Sequence, residues 1–122
     1  MAKILVVDDS DIMRIQLRKD LEKAGHEVLD AIDGVDGLQK LNESTGVQII
    51  IADVNMPNMD GFEMCAKIRQ DKKYNKIKIL MLTTEASALM KLKGAEGGIR
   101  LWIIKPYVLE KMLVAIDKIL LE

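Results

Sequence analysis

The chain has 122 residues, close to the commonest size of a single domain, and no linker, repeat or low-complexity tract divides it. Its 18 Lys and Arg nearly balance its 19 Asp and Glu, which excludes the basic excess of a nucleic-acid-binding domain. A single cysteine excludes an intrachain disulfide, and no apolar run forms a signal peptide or approaches the ~18 residues of a membrane span. We therefore expect one cytoplasmic domain over residues 1–122, with no output domain and no membrane insertion.

Five short aliphatic runs predict the strands of a sheet. In chain order they cover residues 3–7, 27–31, 49–52, 77–82 and 101–104. Four of the runs are almost wholly apolar, which is typical of parallel strands that are buried on both faces. The second run alternates weakly between apolar and polar residues, as a more exposed edge strand does.

Helical periodicities separate these runs. The predicted helices cover residues 11–24, residues 34–44, a segment that buries Phe62, Cys65 and Ile68, residues 87–97, and a last segment with Leu109, Met112, Leu113, Ile116 and Leu120 on one face. In the second helix, Val35, Leu38 and Leu41 are expected to lie on one face. The fourth helix is the weakest, because Gly94 lies inside it and costs about 1 kcal/mol relative to alanine.

Strands and helices in strict alternation predict an α/β domain, a three-layer doubly wound (βα)5 fold around a five-stranded parallel sheet. The crossovers between its strands are expected to be right-handed. Ligand chemistry in such sheets gathers at the carboxyl ends of the strands. The residues that follow the strands are therefore the first candidates for a functional site.

Polar side chains that suit a phosphoryl group follow four of the strands. Asp8 and Asp9 come after the first strand, Asp53 after the third, Thr83 at the end of the fourth and Lys105 after the fifth. Three carboxylates in one place repel one another and favour a divalent cation, and Mg²⁺ prefers oxygen ligands of this kind. A carboxylate can also be a nucleophile that forms an aspartyl phosphate, while ammonium and hydroxyl groups suit phosphate oxygens.

Each of these residues also has an ordinary structural explanation. Aspartate is common after strands because turns favour it, a threonine can simply end a strand, and a lysine is often a solvated surface charge. The whole set, in this order at four strand ends, is better explained by one shared site.

The segments around these strand ends resemble the response-regulator receiver family over the full length of the chain, most closely its stand-alone chemotaxis (CheY-like) type. The matching segments are residues 6–10, residue 53 with residues 56–57 and 60–61, residues 81–86 and residues 102–106. The resemblance implies the strand order 2-1-3-4-5. It also implies a response regulator that acts by binding a partner and catalyses only its own phosphorylation and dephosphorylation.

The resemblance implies a phosphoacceptor and a metal site. Asp53 would accept a phosphoryl group from a phosphohistidine on a sensor histidine kinase. Asp9, Asp53 and the backbone carbonyl of Asn55 would ligate Mg²⁺ directly, while Asp8 would act mainly through water.

It further implies a set of residues that read the phosphoryl group. Thr83 and Lys105 would contact the phosphate, and the peptide bond after Lys105 would be cis. Trp102 occupies the family's aromatic switch position and would act together with Thr83. Asn55 and Glu85 lie where side chains control the access of water to the phosphoryl group, which suggests a fairly short-lived phosphoryl state.

The partners follow from the same resemblance. The first hypothesis is a monomeric chemotaxis regulator that docks on a flagellar motor switch protein, with a phosphatase as a further candidate partner. The alternative is a phosphorelay intermediate that passes phosphate to a histidine phosphotransfer domain, and a third class is a phosphorylation-independent interaction domain. We expect Trp102 to lean over the face formed by helix 87–97 and the last helix, and residues 89–113, including Lys91 and Lys111, to bind the partner.

Two other protein classes share parts of this pattern. A haloacid-dehalogenase-type phosphatase needs an acid-x-acid-x-Thr/Val motif after the first strand, but the fifth position from Asp9 is Met13 and no cap segment is present. A flavodoxin-like FMN carrier needs a hydroxyl- and glycine-rich phosphate loop, where Asp8 and Asp9 would repel the phosphate. The site, and not the fold alone, separates these classes.

Four features lie outside the predicted site. His26 follows a glycine in a predicted turn and is expected to be a surface residue, and Cys65 is expected to lie in the core. Tyr107 stands where the family usually has phenylalanine. The basic stretch is expected to be a solvated face and consists of Lys67, Arg69, Lys72, Lys73, Lys76 and Lys78.

Overall fold

The computed structural model describes residues 1–122 and confirms an α/β fold of alternating strands and helices. The strands are β1 (Lys3–Val7), β2 (Glu27–Ala31), β3 (Val47–Ala52), β4 (Lys78–Thr83) and β5 (Leu101–Ile104). The helices are α1 (Asp11–Lys23), α2 (Gly34–Glu43), α3 (Gly61–Arg69), α4 (Ala88–Glu96) and α5 (Leu109–Leu120), with a short 3-10 helix at Lys72–Tyr74. No helix is both long enough and apolar enough to cross a membrane.

All five strands are parallel and lie in the order β2-β1-β3-β4-β5, as predicted. The ends of the strands are level with one another, because Val7 pairs with Ala31 on one side and with Ala52 on the other. Farther along the sheet, Thr83 pairs with Ile104. The residues that follow these pairs therefore emerge at one edge of the sheet.

The sheet separates two apolar cores. One core lies between the sheet and the α2–α3 side, and the other lies between the sheet and the α1–α5 side. Neighbouring residues of β3 point into opposite cores, with Ile50 in the first and Ile49 and Ile51 in the second. Burial on both faces explains why this strand is apolar without interruption.

The apolar face predicted for α2 is buried only in part: Leu41 is 1% exposed and Leu38 packs against the core, whereas Val35 remains 49% exposed. Helix α2 also buries Gly34 and Gly37. A Cβ atom at Gly37 would lie 2.8 Å from the sulfur of Met64, so the helix approaches its neighbours too closely there for a larger side chain. The apolar periodicity therefore predicted the helix and most of its buried face but not the burial of the two glycines, since glycines carry no hydrophobic signal.

The basic stretch is only partly a solvated face. Arg69 is half-buried, and its guanidinium donates to the carbonyl oxygens of Tyr74 at 3.1 Å and Ile77 at 2.7 Å. It therefore ties the end of α3 to the segment that leads into β4. Cys65 lies in the core as expected, and burial raises the pKa of its thiol to about 12.

The prediction that His26 is a surface residue is wrong. It is 8% exposed, and its Nδ1 atom accepts a hydrogen bond of 3.0 Å from the backbone N–H of Ala2. Burial and the nearby N-terminal ammonium lower the pKa of His26, and the carboxylate of Asp117 opposes them only in part. The imidazole therefore stays neutral in the folded chain, and its hydrogen bond holds the backbone of Ala2, the residue before β1, in place.

We expect His26 to make folding stability depend on pH. Its folded-state pKa lies below the unfolded value of 6.5, so its contribution is complete above pH 6.5 and is lost as the pH falls below it. Replacing it by glutamine keeps an acceptor but removes the titration. Melting temperatures between pH 7.5 and pH 5.5 should therefore fall more steeply for the wild type than for His26→Gln; parallel curves would contradict this prediction.

Candidate functional site

Backbone hydrogen bonds between neighbouring strands position the candidate residues. The N–H of Asp53 donates to the carbonyl of Val7 at 3.0 Å, and the N–H of Lys105 donates to the carbonyl of Thr83 at 2.9 Å. The residue that follows each strand is thus held by the strand beside it. Asp53 and Lys105 consequently begin from fixed positions on either side of β4.

Three carboxylates meet at this edge of the sheet. Asp8, Asp9 and Asp53 each offer an oxygen atom, and these atoms lie within 4.8 Å of one another. Asp8 is 2% exposed and Asp53 is 8% exposed, whereas Asp9 is open to solvent. The cluster predicted from the strand ends is therefore present, with two members buried and one at the surface.

The ammonium of Lys105 joins the two buried carboxylates. Its Nζ atom lies 2.9 Å from Oδ2 of Asp8 and 2.7 Å from Oδ2 of Asp53. Burial lowers the pKa of Lys105, but the hydrogen bonds to Asp53 and Asp8 outweigh that effect and the pKa is raised. Lys105 therefore remains a cation that compensates the negative charge of the cluster.

The remaining oxygens of these carboxylates are held by local backbone. Oδ1 of Asp8 accepts from the N–H of Ser10 at 2.9 Å, and Oδ1 of Asp53 accepts from the N–H of Val54 at 2.7 Å. The guanidinium of Arg14 donates to the backbone carbonyl of Asp8 at 2.6 Å. These contacts restrict the rotation of both side chains and so preorganise the cluster.

The donor set suits Mg²⁺. Carboxylate oxygens at this spacing are the hard ligands that Mg²⁺ takes from proteins, usually one or two at a time together with water or phosphate oxygens. Asp9 is the accessible member, and Asn55 places a backbone carbonyl at the start of the loop after Asp53. A dication that binds Asp53 shares its carboxylate with Lys105, so the two cations compete for charge at the same group.

Thr83 is fully buried, and Glu85 connects it to its surroundings. The N–H of Glu85 donates to the hydroxyl oxygen of Thr83 at 3.2 Å. The carboxylate of Glu85 accepts from the side-chain amide of Asn55 at 3.0 Å, and its backbone carbonyl accepts from the indole N–H of Trp102 at 2.8 Å. One residue thus links the site to the tryptophan.

The role of Glu85 as a connector is not predicted from the sequence, where this residue is expected only to control the access of water to the phosphoryl group. A sequence pattern carries no signal for a hydrogen bond to a backbone carbonyl in a loop. The position two residues after Thr83 was the single available indication. The side-chain bond between Asn55 and Glu85 does agree with the prediction that these two residues lie near each other at the site.

Trp102 contacts α4 as predicted, but it does not contact α5. Its ring packs on Phe62 of α3, with the ring centroids 6.0 Å apart, and against Gly94 of α4. Leu101 and Ile103 point to the other face, towards α5, because side chains alternate along a strand. The expectation that Trp102 leans over α4 and α5 together is therefore wrong, since α5 lies across the sheet from it.

The contact with Trp102 also explains the glycine inside α4. A Cβ atom at Gly94 would lie 2.8 Å from the indole ring, so the close approach of helix and indole requires glycine. The helix forms despite the propensity cost because Ser87 caps it, accepting from the N–H of Met90 at 3.1 Å. The cap at Ser87 and the close packing at Gly94 together account for a helix that is weak by sequence propensity alone.

The segment after Lys105 is anchored to α1. The Lys105-Pro106 peptide bond is cis, as the resemblance implied. The next residue, Tyr107, donates its hydroxyl to Oδ2 of Asp20 at 2.6 Å. The phenylalanine usual at this position has no such hydroxyl, so this bond follows from a substitution visible in the sequence.

Comparison with known proteins shows which family the chain resembles. Residues 4–117 match the response regulator receiver domain family. The chain is 39% identical over 106 residues to a chemotaxis protein CheY homolog of Campylobacter jejuni, covering 86% of this chain and 82% of the relative. It is 37% identical over 106 residues to chemotaxis protein CheY1 of Helicobacter pylori, covering 86% of each.

Solved structures show the same similarity. Chemotaxis protein CheY4 of Vibrio cholerae superposes with a TM-score of 0.91 at 40% sequence identity, covering 98% of each chain. The five-stranded order and the alternation of helices are therefore shared over almost the whole chain.

Competition between Lys105 and Mg²⁺ gives a testable prediction. Lys105→Met removes the ammonium that compensates Asp8 and Asp53, so the metal-free protein should lose roughly 1–3 kcal/mol of stability. The same change should strengthen Mg²⁺ binding, because the metal no longer shares the carboxylates with a fixed cation. Urea unfolding and calorimetric titration measure the two effects, with Lys111→Met as an exposed control; unchanged Mg²⁺ affinity would contradict the competition.

Proposed function

The chain belongs to the response regulator receiver domain family, and we propose that it is a single-domain response regulator switched by phosphorylation of Asp53. The observation that carries this proposal is the buried Asp53 carboxylate, held 2.7 Å from the Lys105 ammonium beside two further carboxylates. One edge of the sheet thus holds a nucleophile, a cation for a phosphate oxygen and a set of metal ligands.

In the proposed reaction, a carboxylate oxygen of Asp53 attacks the phosphorus of a phosphohistidine on a sensor kinase. The phosphorus–oxygen bond to Asp53 forms, the phosphorus–nitrogen bond breaks, and the electron pair returns to the imidazole. Asp9, Asp53 and the carbonyl of Asn55 would hold Mg²⁺, with Asp8 acting through water. The bound ion would neutralise charge on the transferring phosphoryl group.

Lys105 and Thr83 are the proposed readers of the new charge. A phosphoryl group adds nearly two negative charges and three acceptor oxygens at Asp53. Lys105 already contacts Asp53, and because its side chain is flexible its ammonium can move the short distance to a phosphoryl oxygen. Thr83 can donate its hydroxyl to a phosphoryl oxygen, and turning towards the phosphoryl group removes the acceptor of the Glu85 N–H.

Glu85 provides the route from Thr83 to the tryptophan. Its N–H bonds to Thr83 and its carbonyl bonds to Trp102, so a shift of its backbone alters both contacts together. The indole also touches α4 at Gly94, where no side chain intervenes. We therefore propose that phosphorylation moves the loop between β4 and α4, and that α4 moves with it.

The proposed output surface is residues 89–113, with Lys91 and Lys111 on its rim. Leu89 is 74% exposed and Leu92 is 56% exposed, so α4 presents apolar side chains that a partner would bury. The similarity to chemotaxis proteins supports a flagellar motor switch protein as that partner in the cytoplasm. A sensor kinase would supply the phosphoryl group, and a phosphatase or the protein's own hydrolysis would remove it.

Asn55 and Glu85 bear on the lifetime of the phosphoryl group. Their side chains bond to each other at 3.0 Å, and both residues lie outside the buried part of the site. This pair is positioned to admit or exclude the water that hydrolyses the acyl phosphate. We propose that it sets the rate of self-catalysed dephosphorylation.

The acceptor is tested by treatment with acetyl phosphate and Mg²⁺. One phosphoryl group should appear on Asp53, stable in acid but labile to base and hydroxylamine, as an acyl phosphate is. Asp53→Asn should abolish it, whereas Asp117→Asn, an exposed aspartate on α5, should leave it intact. Mass spectrometry locates the group, and a label that persists in Asp53→Asn or maps to Ser10 would refute the proposal.

The coupling is tested through Trp102, the only tryptophan in the chain. The side chains of Thr83 and Trp102 lie on the same face of the sheet, so Thr83 vacates space there when it turns to the phosphoryl group. The indole can move into that space and become less accessible to solvent. Acrylamide quenching of Trp102 should therefore decrease on phosphorylation. Thr83→Ala should be phosphorylated without this decrease, while Thr83→Ser keeps the hydroxyl and should respond. A full response in Thr83→Ala would contradict the route.

A further inference from the structure

The loop of residues 54–60, which joins β3 to α3, contains the chain's one non-glycine residue with a left-handed backbone. Asn58 has a φ of 68°. Side chains other than glycine adopt this conformation at a cost, although asparagine tolerates it better than most. A residue held in this way indicates that contacts with the rest of the fold determine the shape of the loop.

Those contacts come from the start of α2. Oδ2 of Asp33 accepts a hydrogen bond of 2.8 Å from the side-chain amide of Asn58, and Oδ1 accepts one of 2.8 Å from the N–H of Asp36. The N–H of Gly34 donates to the carbonyl of Met59 at 3.2 Å. Asp33 thus serves at once as the cap of α2 and as the acceptor that holds the loop.

Asp33 is suited to carry charge at this position. It is 5% exposed, so few water molecules compete for its oxygens. The hydrogen bonds from the Asp36 backbone and from the Asn58 amide lower the pKa of Asp33, which keeps it ionised at neutral pH. Its bond to Asn58 is therefore charge-assisted and stronger than one between neutral groups.

The other end of the 54–60 loop is also fixed. The N–H of Gly61 donates to the carbonyl of Val54 at 2.9 Å, and a Cβ atom at Gly61 would lie 2.1 Å from the carbonyl oxygen of Asp53. The loop is therefore clamped near Asp53 and again at Asn58. Asn55 lies between the two clamps.

We propose that Asp33 is a positioning residue for Mg²⁺ binding, which it supports by holding the 54–60 loop through Asn58. This inference rests on the proposed function, in which the backbone carbonyl of Asn55 is a metal ligand. Without the clamp the loop samples more conformations, and metal binding must then order it. Residues that orient the metal ligands without contacting the metal themselves typically matter for binding: removing one weakens metal affinity by about tenfold or more.

Two variants separate positioning from helix capping. Asp33→Ser keeps a good cap for α2 but is too short to reach the amide of Asn58. Asn58→Gly keeps the left-handed backbone without strain and leaves Asp33 in place, while it removes the amide. Asp71→Ser is the matched control, because Asp71 caps the 3-10 helix by accepting from Lys73 at 3.1 Å and lies outside the site.

Calorimetric Mg²⁺ titration and thermal melts without metal give the readout. Asp33→Ser and Asn58→Gly should each bind Mg²⁺ about tenfold more weakly, and Asn58→Gly should melt close to the wild type. Asp71→Ser should bind as the wild type does. A purely structural role would lower the melting temperature and leave the affinity unchanged.

Wild-type Mg²⁺ affinity in Asn58→Gly would overturn this role of Asp33, even if Asp33→Ser binds Mg²⁺ more weakly. The loss of affinity in Asp33→Ser would then come from the cap of α2 and not from the bond to Asn58. A wild type that binds no Mg²⁺ would refute the metal site of the proposed function itself. These failures are distinguishable, because the first appears only in the variants and the second already appears in the wild type.

Discussion

The contact on which the functional part of this molecule depends is the ammonium of Lys105 between the buried carboxylates of Asp8 and Asp53. Two negative charges at the end of a parallel sheet are tolerated only with a compensating cation, because burial penalises unpaired charge. Lys105 meets that requirement from within the chain. The same arrangement makes the site responsive, since any further cation or phosphoryl group redistributes the charges that Lys105 balances.

The rest of the fold keeps these groups in register. Burial on both faces requires the inner strands to be apolar, and their side chains alternate between two cores, so a slip by one residue would move every side chain of a strand into the opposite core and disrupt its packing. The strand ends are therefore level, and the polar residues after them meet at fixed distances. Asp53 and Lys105 directly follow β3 and β5 and are held by backbone hydrogen bonds to the neighbouring strands, whereas Asn55 and Glu85 lie farther along the loops after β3 and β4.

Much of this arrangement could be predicted from the sequence, for a physical reason. Apolar runs and helical periodicities report burial, and burial determines the layers, the strands and the edge where Asp8, Asp53 and Lys105 meet. What could not be predicted depends on contacts without a hydrophobic signal. The burial of Gly34 and Gly37 in α2 is decided by close packing, the burial of His26 by one backbone hydrogen bond, and the position of Trp102 by which helices cover its face of the sheet. The link through Glu85 uses backbone atoms, which every residue has.

The central claim is that phosphorylation of Asp53 switches the binding of a partner, and it is tested most directly by partner affinity. Beryllium fluoride with Mg²⁺ provides a stable mimic of the phosphoryl group. Calorimetric titrations with a purified flagellar motor switch protein and with a histidine phosphotransfer domain, each with and without the mimic, compare the two classes of partner. We predict that the switch protein binds at least about tenfold more tightly with the mimic, equivalent to about 1.4 kcal/mol. Equal affinity of the switch protein in both states, or selective retention of the phosphotransfer domain, would contradict the account.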